Sequence, residues 1–306
     1  MLTPNLSYAN LKESYLFYHI AQKAKAYLEA NPDKLLYRMG IGDVSLPLAP
    51  AVIAALHEAV DDQSEKARFH GYMPECGAPF LRETIAEYYQ KRGVSLASDE
   101  VFVSSGASDE LGDILDLFDR SNKARIMEPA YPAYVVANIM AGREIVHLPS
   151  GPDDHFLPLP KDGLDADLIY LCSPNNPTGA AYNREQLKKW VDWANARGAV
   201  ILFDAAYEAF IRTPGIPHSI FECDGAKSCA VEVRSYSKTA GFTGIRCGYT
   251  VVPDGLFACT ADGEKIALRG MWTRRQTTKF NGASYITQRG AEAIYARGSG
   301  GDKGDG

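Results

Sequence analysis

Apolar and polar positions alternate along this chain in two periods. Residues 15–30, YLFYHIAQKAKAYLEA, place apolar side chains on one helical stripe, and Asn31-Pro32 closes the element. A short strand is expected in LLYRMGIGD (35–43) and a helix over 50–60. Residues 79–92, PFLRETIAEYYQKR, predict a stronger helix, with proline in its first turn and basic residues in its last. Further strands are expected in VFVSS (101–105), KARIMEP (123–129) and EIVHLP (144–149), separated by helical patterns in SDELGDILDLF and YVVANIMAG. The alternation resumes with DLIYLCSP (167–174), the amphipathic NREQLKKWVDWANARG closed by Gly198, and AVILFDAAY (199–207). CAVEVRSYS and IRCGYTVVP (245–253) complete the set. AVILF is almost continuously apolar, as a parallel strand covered on both faces must be. Strands alternating with helices predict an α/β fold around a parallel or mixed sheet. No internal repeat is visible, and GSGGDKGDG at the end is low-complexity.

Composition narrows this little. The chain has 306 residues, 46% hydrophobic and 23% charged, which excludes a wholly disordered or collagen-like chain and allows a sizeable core. Thirty-two Lys and Arg against 38 Asp and Glu give a net charge of −6, so no basic face for nucleic acid or membrane is advertised. No apolar run approaches the roughly 20 residues of a membrane span. The start, MLTPNLSYANLKESY, lacks a basic region followed by an apolar one, so a cytoplasmic location is expected. The six cysteines form no CxxC and read as reduced, mostly buried thiols. His57-Glu58 lacks the second histidine of a zinc helix, and no metal is expected.

The informative residues follow the strands, where open α/β sheets bind ligands. Gly106-Ala107-Ser108 opens a helix, whose free N–H groups suit an anion but also an ordinary turn. Tyr131 lies between Pro129 and Pro132 and reads as an aromatic platform, although most aromatics are core. Asn175-Asn176-Pro177-Thr178-Gly179 puts two amides beyond a buried strand. Asp204 ends an apolar strand, with Tyr207 three residues on. A buried carboxylate is costly unless paired, so Asp204 is either a helix cap or the partner of a protonated ring nitrogen. Ser235, Ser237, Lys238 and Arg246 supply two hydroxyls, an amine and a guanidinium within twelve residues. Together these groups suit a flat aromatic aldehyde bearing a phosphate, which is pyridoxal phosphate.

At this point the chain resembles the fold-type I, class I and II aminotransferases. Its words ESYLF, IGDVSLPLAP, HGYMPECG, EPAYPAYVVAN, CSPNNPTGA, SKTAGFTGIRCGY and RRQTTKFNGASYI resemble the diaminopimelate aminotransferase family within them, from about Leu11 to Ala296. The resemblance implies a mostly parallel central sheet with helices on both faces. It implies a ping-pong transfer of an amino group between glutamate/2-oxoglutarate and tetrahydrodipicolinate/LL-2,6-diaminopimelate, in lysine biosynthesis. Lys238 would hold pyridoxal 5′-phosphate as a Schiff base and move the proton. Asp204 would pair with the ring nitrogen, Asn176 and Tyr207 with the phenolic oxygen, and Tyr131 would stack on the ring. Ser235, Ser237, Arg246 and the Ala107-Ser108 backbone would hold the phosphate. Tyr72 and Asn281 would complete a site shared between subunits of a homodimer. Tyr15, Gly42 and Glu75 would contact substrate, with Glu75 meeting its distal ammonium.

The same resemblance implies a division into an arm and part of a small domain (1–40), a large cofactor-binding domain (41–296) and a flexible tail (297–306). The chain departs from the family in three places. Ser108 stands where the family carries a lysine that helps bind substrate carboxylate. Residues 151–166 are short. The family continues for roughly a hundred residues beyond Ala296, a length fit for a small domain that includes an arginine for the substrate α-carboxylate. A truncated reading frame is therefore expected. Two alternatives follow, an aminotransferase of different substrate range and a chain that binds pyridoxal phosphate without turnover. A Rossmann-type nucleotide enzyme lacks its GxGxxG after an early strand.

Overall fold

The computed structural model describes residues 2–11, 16–37, 42–260 and 262–296. Its centre is a seven-stranded sheet: β1 (Val101–Ser104), β2 (Ala124–Glu128), β3 (Ile145–Pro149), β4 (Leu168–Cys172), β5 (Val200–Asp204), β6 (Ala230–Ser235) and β7 (Gly248–Val251). The strand order is β1-β7-β6-β5-β4-β2-β3. β7 runs antiparallel to both its neighbours, and the other pairings are parallel. The strand residues of β4 and β5 explain the layers. Leu168, Tyr170 and Cys172, with Val200 and Leu202, enter one core, while Ile169, Leu171, Ile201 and Phe203 enter the other. Side chains alternate with period two, so a continuously apolar strand must be covered twice.

Helices provide the two covers. α1 (Leu16–Ala30) is followed by α2 (Pro50–Ser64), α3 (Pro79–Gln90), α4 (Ala107–Asp113), α5 (Pro132–Met140) and α6 (Arg184–Arg197). A single turn, α7 (Tyr236–Thr239), precedes β7; a small hairpin of β8 (Phe257–Cys259) and β9 (Lys265–Ala267) follows it, then α8 (Leu268–Arg275) and α9 (Tyr285–Ala296). Leu81, Ile85 and Tyr89 of α3, Trp190 of α6 and Ala291 of α9 close one core. Leu111 of α4, Tyr134 of α5 and Trp272 of α8 close the other. α6 is bounded as its sequence requires: Asn183 accepts the Gln186 N–H at 2.9 Å, and Gly198 takes a left-handed conformation at φ 68°.

Three expectations are corrected. The described part of LLYRMGIGD, residues 35–37 and 42–43, is not a strand. Leu35 and Tyr37 stand exposed, with no neighbouring strand among the described residues to pair with; residues 38–41 lie outside the described set. Of the apolar stripe of α1, Tyr18, Ile20 and Tyr27 are exposed rather than buried. In SDELGDILDLF the α-helix stops at Asp113 and continues as a 3₁₀ turn over Ile114–Leu117. The tail 297–306 and Tyr15 lie outside the described residues.

One buried group ties three elements together. Glu110 of α4 accepts hydrogen bonds from Thr250 Oγ1 of β7 at 2.5 Å and from Gln276 Nε2, just beyond α8, at 3.2 Å. Burial pushes its carboxyl up to about 8, against the pull of both donors. The folded chain therefore keeps a proton that the unfolded chain releases near pH 4.5, and stability falls as pH rises from there to about 8. Glu110→Gln, isosteric with the neutral acid, removes that loss. In urea melts its gain over the parent should be near zero below pH 4.5 and on the order of 4 kcal/mol at pH 8. A gain independent of pH would contradict the assignment.

Candidate functional site

The strand directions gather the site on one edge of the sheet. β1, β2, β4, β5 and β6 all end there, and antiparallel β7 begins there. Register makes this concrete: Ser104 and Ser235 both face Gly248, and Cys172 faces Asp204. The segments leaving this edge carry Gly106, Tyr131, Asn176, Asp204, Tyr207, Ser237, Lys238 and Arg246.

An anion cradle forms at the β1/β7/β6 end. Arg246 Nη1 donates to Ser237 Oγ at 3.2 Å, and Ser237 N–H donates to Ser235 Oγ at 3.1 Å. Arg246 holds a left-handed backbone at φ 68°, which is strained for a residue with a Cβ. Gly106 turns at φ 144°, and a Cβ there would lie 2.5 Å from Arg246 Nη2. A Cβ on Gly248 would lie 2.7 Å from the Arg234 carbonyl and 2.9 Å from Gly106 Cα. Two glycines thus let three strand ends converge around one guanidinium. Ala107 is buried behind the cradle and Ser108 is exposed beside it.

Asp204 lies at the middle of the edge, 5% exposed. Its Oδ1 accepts the Ala206 N–H at 2.9 Å and its Oδ2 accepts the Tyr134 hydroxyl at 2.6 Å. It caps no helix; the 3₁₀ turn that follows is capped at Tyr207. Burial raises its carboxyl above the ordinary value, and the two donors oppose that. Among the described residues it has no cationic partner. An arrangement of this kind is costly until a cation arrives.

Tyr207 and Asn176 sit together, the amide Nδ2 3.5 Å from the phenol oxygen. Burial, chiefly, raises the Tyr207 phenol. The turn carrying it is anchored by Glu208, whose carboxylate meets Arg234 at 3.0 Å, Tyr88 Oη at 2.7 Å and His218 Nδ1 at 2.8 Å. Burial opposes its charge, but Arg234, His218 and Tyr88 together pull Glu208 down to about 2. Lys238 Nζ lies 6.0 Å from the Tyr207 ring centroid and donates to the Gly42 carbonyl. Asp43, next to Gly42, is held below the usual carboxylate range by the Val44 N–H and Thr243, with the Lys238 charge adding to it.

Tyr131 opens α5 and meets Tyr134 edge-on, ring centroids 5.6 Å apart. With Ser108 it lines a groove of about 880 Å³ that runs between α4 and α5. Tyr72, Glu75 and Asn281 form a second group. A Cβ on Gly282 would lie 3.2 Å from the Met73 carbonyl and 3.6 Å from Glu75 Cα, so the 281–282 turn, with Asn281 at φ 63°, rests on that loop. No hydrogen bond among the described residues joins this group to Lys238, and Tyr72 is 93% exposed. Tyr134 and Asp43 were not anticipated from sequence. Only the three-residue spacing from Tyr131, which puts both tyrosines on one helical face, could have indicated Tyr134.

A guanidinium cradle, a buried carboxylate with no cationic partner among the described residues and an amine thus lie on segments leaving one edge of a fold-type I sheet, groups of the kind a pyridoxal-phosphate enzyme uses. Residues 36–298 match the family described as aminotransferase class I and II, and the chain belongs to it. It is 50% identical over 97% of its length to the LL-diaminopimelate aminotransferase of Agathobacter rectalis and 49% identical over 95% to that of Parabacteroides distasonis. These matches cover 75% and 74% of those proteins, so the chain spans about three quarters of their length. The solved L,L-diaminopimelate aminotransferase from Chlamydomonas reinhardtii superposes with a TM-score of 0.87 at 37% identity, covering 96% of this chain and 74% of that one. No described helix is long and apolar enough to cross a membrane.

The cofactor of this family is pyridoxal 5′-phosphate, and the residues fit it: the unpaired buried carboxylate matches a pyridinium, and the glycine-lined guanidinium matches a phosphate. Gly106→Ala pushes a methyl into the Arg246 guanidinium. Equilibrium dialysis should show cofactor affinity falling at least about tenfold with the fold intact. Unchanged affinity would place the phosphate elsewhere.

Proposed function

We propose that this chain transfers an amino group between glutamate/2-oxoglutarate and tetrahydrodipicolinate/LL-2,6-diaminopimelate, serving lysine biosynthesis in the cytoplasm. The observation that carries the reading is the convergence of Lys238, Tyr207, Asn176, Asp204 and the Arg246 cradle at one sheet edge. When bound, pyridoxal phosphate supplies an electron sink for a carbanion at the substrate α-carbon. Lys238 Nζ is the attachment point and the base that takes and returns the α-proton. Asp204 keeps the ring nitrogen protonated, and Asn176 Nδ2 and Tyr207 Oη donate to the phenolic oxygen. Tyr131 stacks on one ring face. Ser235, Ser237, Arg246 and the Ala107-Ser108 start of α4 hold the phosphate, where charge-assisted bonds are strongest.

The substrate side follows the same logic. Gly42, whose carbonyl already meets Lys238, and Glu75 line the approach, with Glu75 taking the distal ammonium; Tyr15 belongs to this set by family pattern. Tyr72 projects into solvent and Asn281 caps its turn, which suits a homodimer whose subunits complete each other's sites. Ser108 is exposed at the groove mouth, where a hydroxyl offers a carboxylate less than a charged amine.

Incubation with LL-diaminopimelate and 2-oxoglutarate should produce glutamate. If cofactor absorbance develops but neither half-reaction proceeds, the chain binds the cofactor without turning over. Ser108→Lys should raise kcat/KM for LL-diaminopimelate relative to glutamate about tenfold; an unchanged ratio removes residue 108 from substrate selection.

A further inference from the structure

Asp204 is the buried carboxylate on which the proposed site turns, and a hydroxyl meets it from beneath. Tyr134 is 2% exposed, and its hydroxyl donates to Asp204 Oδ2 at 2.6 Å. The groups facing the carboxylate from every packed element are neutral: Tyr134 from α5, the Cys172 thiol from β4, and the Ala206 N–H and Tyr207 from the turn after β5. Among the described residues only Tyr134 and the Ala206 N–H donate to it. Burial first, then the nearby Asp204 charge, lifts the Tyr134 phenol well above its ordinary value, so it keeps its proton and remains a permanent donor.

Tyr134 is itself held from two sides. Its ring stacks on Tyr170 with centroids 5.0 Å apart, and Asn138 Nδ2 donates both to its carbonyl and to Tyr170 Oη at 2.8 Å. Its edge meets Tyr131, the proposed stacking platform. One side chain therefore touches both the platform and the carboxylate that would flank the cofactor ring.

We propose that Tyr134 is a positioning residue: its hydroxyl fixes Asp204 as an ionised carboxylate aimed at the ring nitrogen of the cofactor. This rests on the reading of Asp204 above. A hydrogen bond to a buried charge is among the stronger kinds, and removing it leaves the carboxylate with the backbone N–H alone.

Tyr134→Phe keeps the stack on Tyr170 and removes only the hydroxyl. Two readings test it: the dissociation constant for pyridoxal phosphate, and the pH at which the bound cofactor's absorbance changes. In the parent the substitution should weaken binding about tenfold and move the titration by about one pH unit. In an Asp204→Asn background the same substitution should alter affinity by less than about twofold and leave the titration in place, because the coupled partner is gone. Equal effects in both backgrounds would show a packing role and overturn the proposal, as would no effect in the parent. If Asp204→Asn alone leaves both readings unchanged, the assignment of Asp204 fails and Tyr134 falls with it. If Asp204→Asn changes them and Tyr134→Phe does not, only the link through Tyr134 is lost.

Discussion

A carboxylate stripped of water and left without a cation governs this molecule. Asp204 ends a strand buried on both faces, among neutral neighbours, and the two donors it has cannot replace what bulk water gave it. On the proposed function a protonated aromatic nitrogen would bring the missing charge, and the same ligand's phosphate would meet Arg246, which sits at the adjoining strand ends in a strained backbone. The two charges of one small molecule would then account for two features that each cost the fold stability.

The sheet makes the site possible and the glycines make it tight. Reversal of β7 puts the start of one strand beside the ends of its neighbours, so Gly106 meets the segment carrying Ser235 and Arg246 although it lies far from them in sequence. Close approach of Gly106 and Gly248 leaves no room for side chains between the strands. Deeper down, Arg234 carries two buried carboxylates, Glu232 and Glu208, and the second directly follows Tyr207. The ion-paired Glu208 and the Tyr207 phenol share one turn, so the core's polar network holds that phenol in place.

Much of this was legible in the sequence because both periods were strong. The run AVILF reads as a strand covered on both faces, as β5 is, and the residues after the strands suggest a candidate amine, an anion cup and a carboxylate that is either a helix cap or a ring-nitrogen partner. What escaped depended on tertiary neighbours. LLY at 35–37 is apolar enough for a strand but finds no strand among the described residues to pair with. The stripe of α1 has a helical period, yet its Tyr18, Ile20 and Tyr27 are exposed. The last helices were passed over because α8 is rich in arginine and contains little apolar pattern, its burial resting on Leu268 and Trp272. The direction of β7 has no local signature. Tyr134 drew no reading beyond its helix, since spacing shows which helix face it shares with Tyr131 but not which carboxylate that face meets.

The central claim is that the amine at residue 238 and the carboxylate at 204 flank one vitamin B6 ring. Reducing the pyridoxal-phosphate-loaded protein with borohydride and sequencing its labelled peptide tests this most directly. The account predicts a single pyridoxyl-modified residue, Lys238, with the label lost on addition of an amino-acid substrate before reduction. Label on Lys279 or another surface lysine, or spread over several, would contradict it.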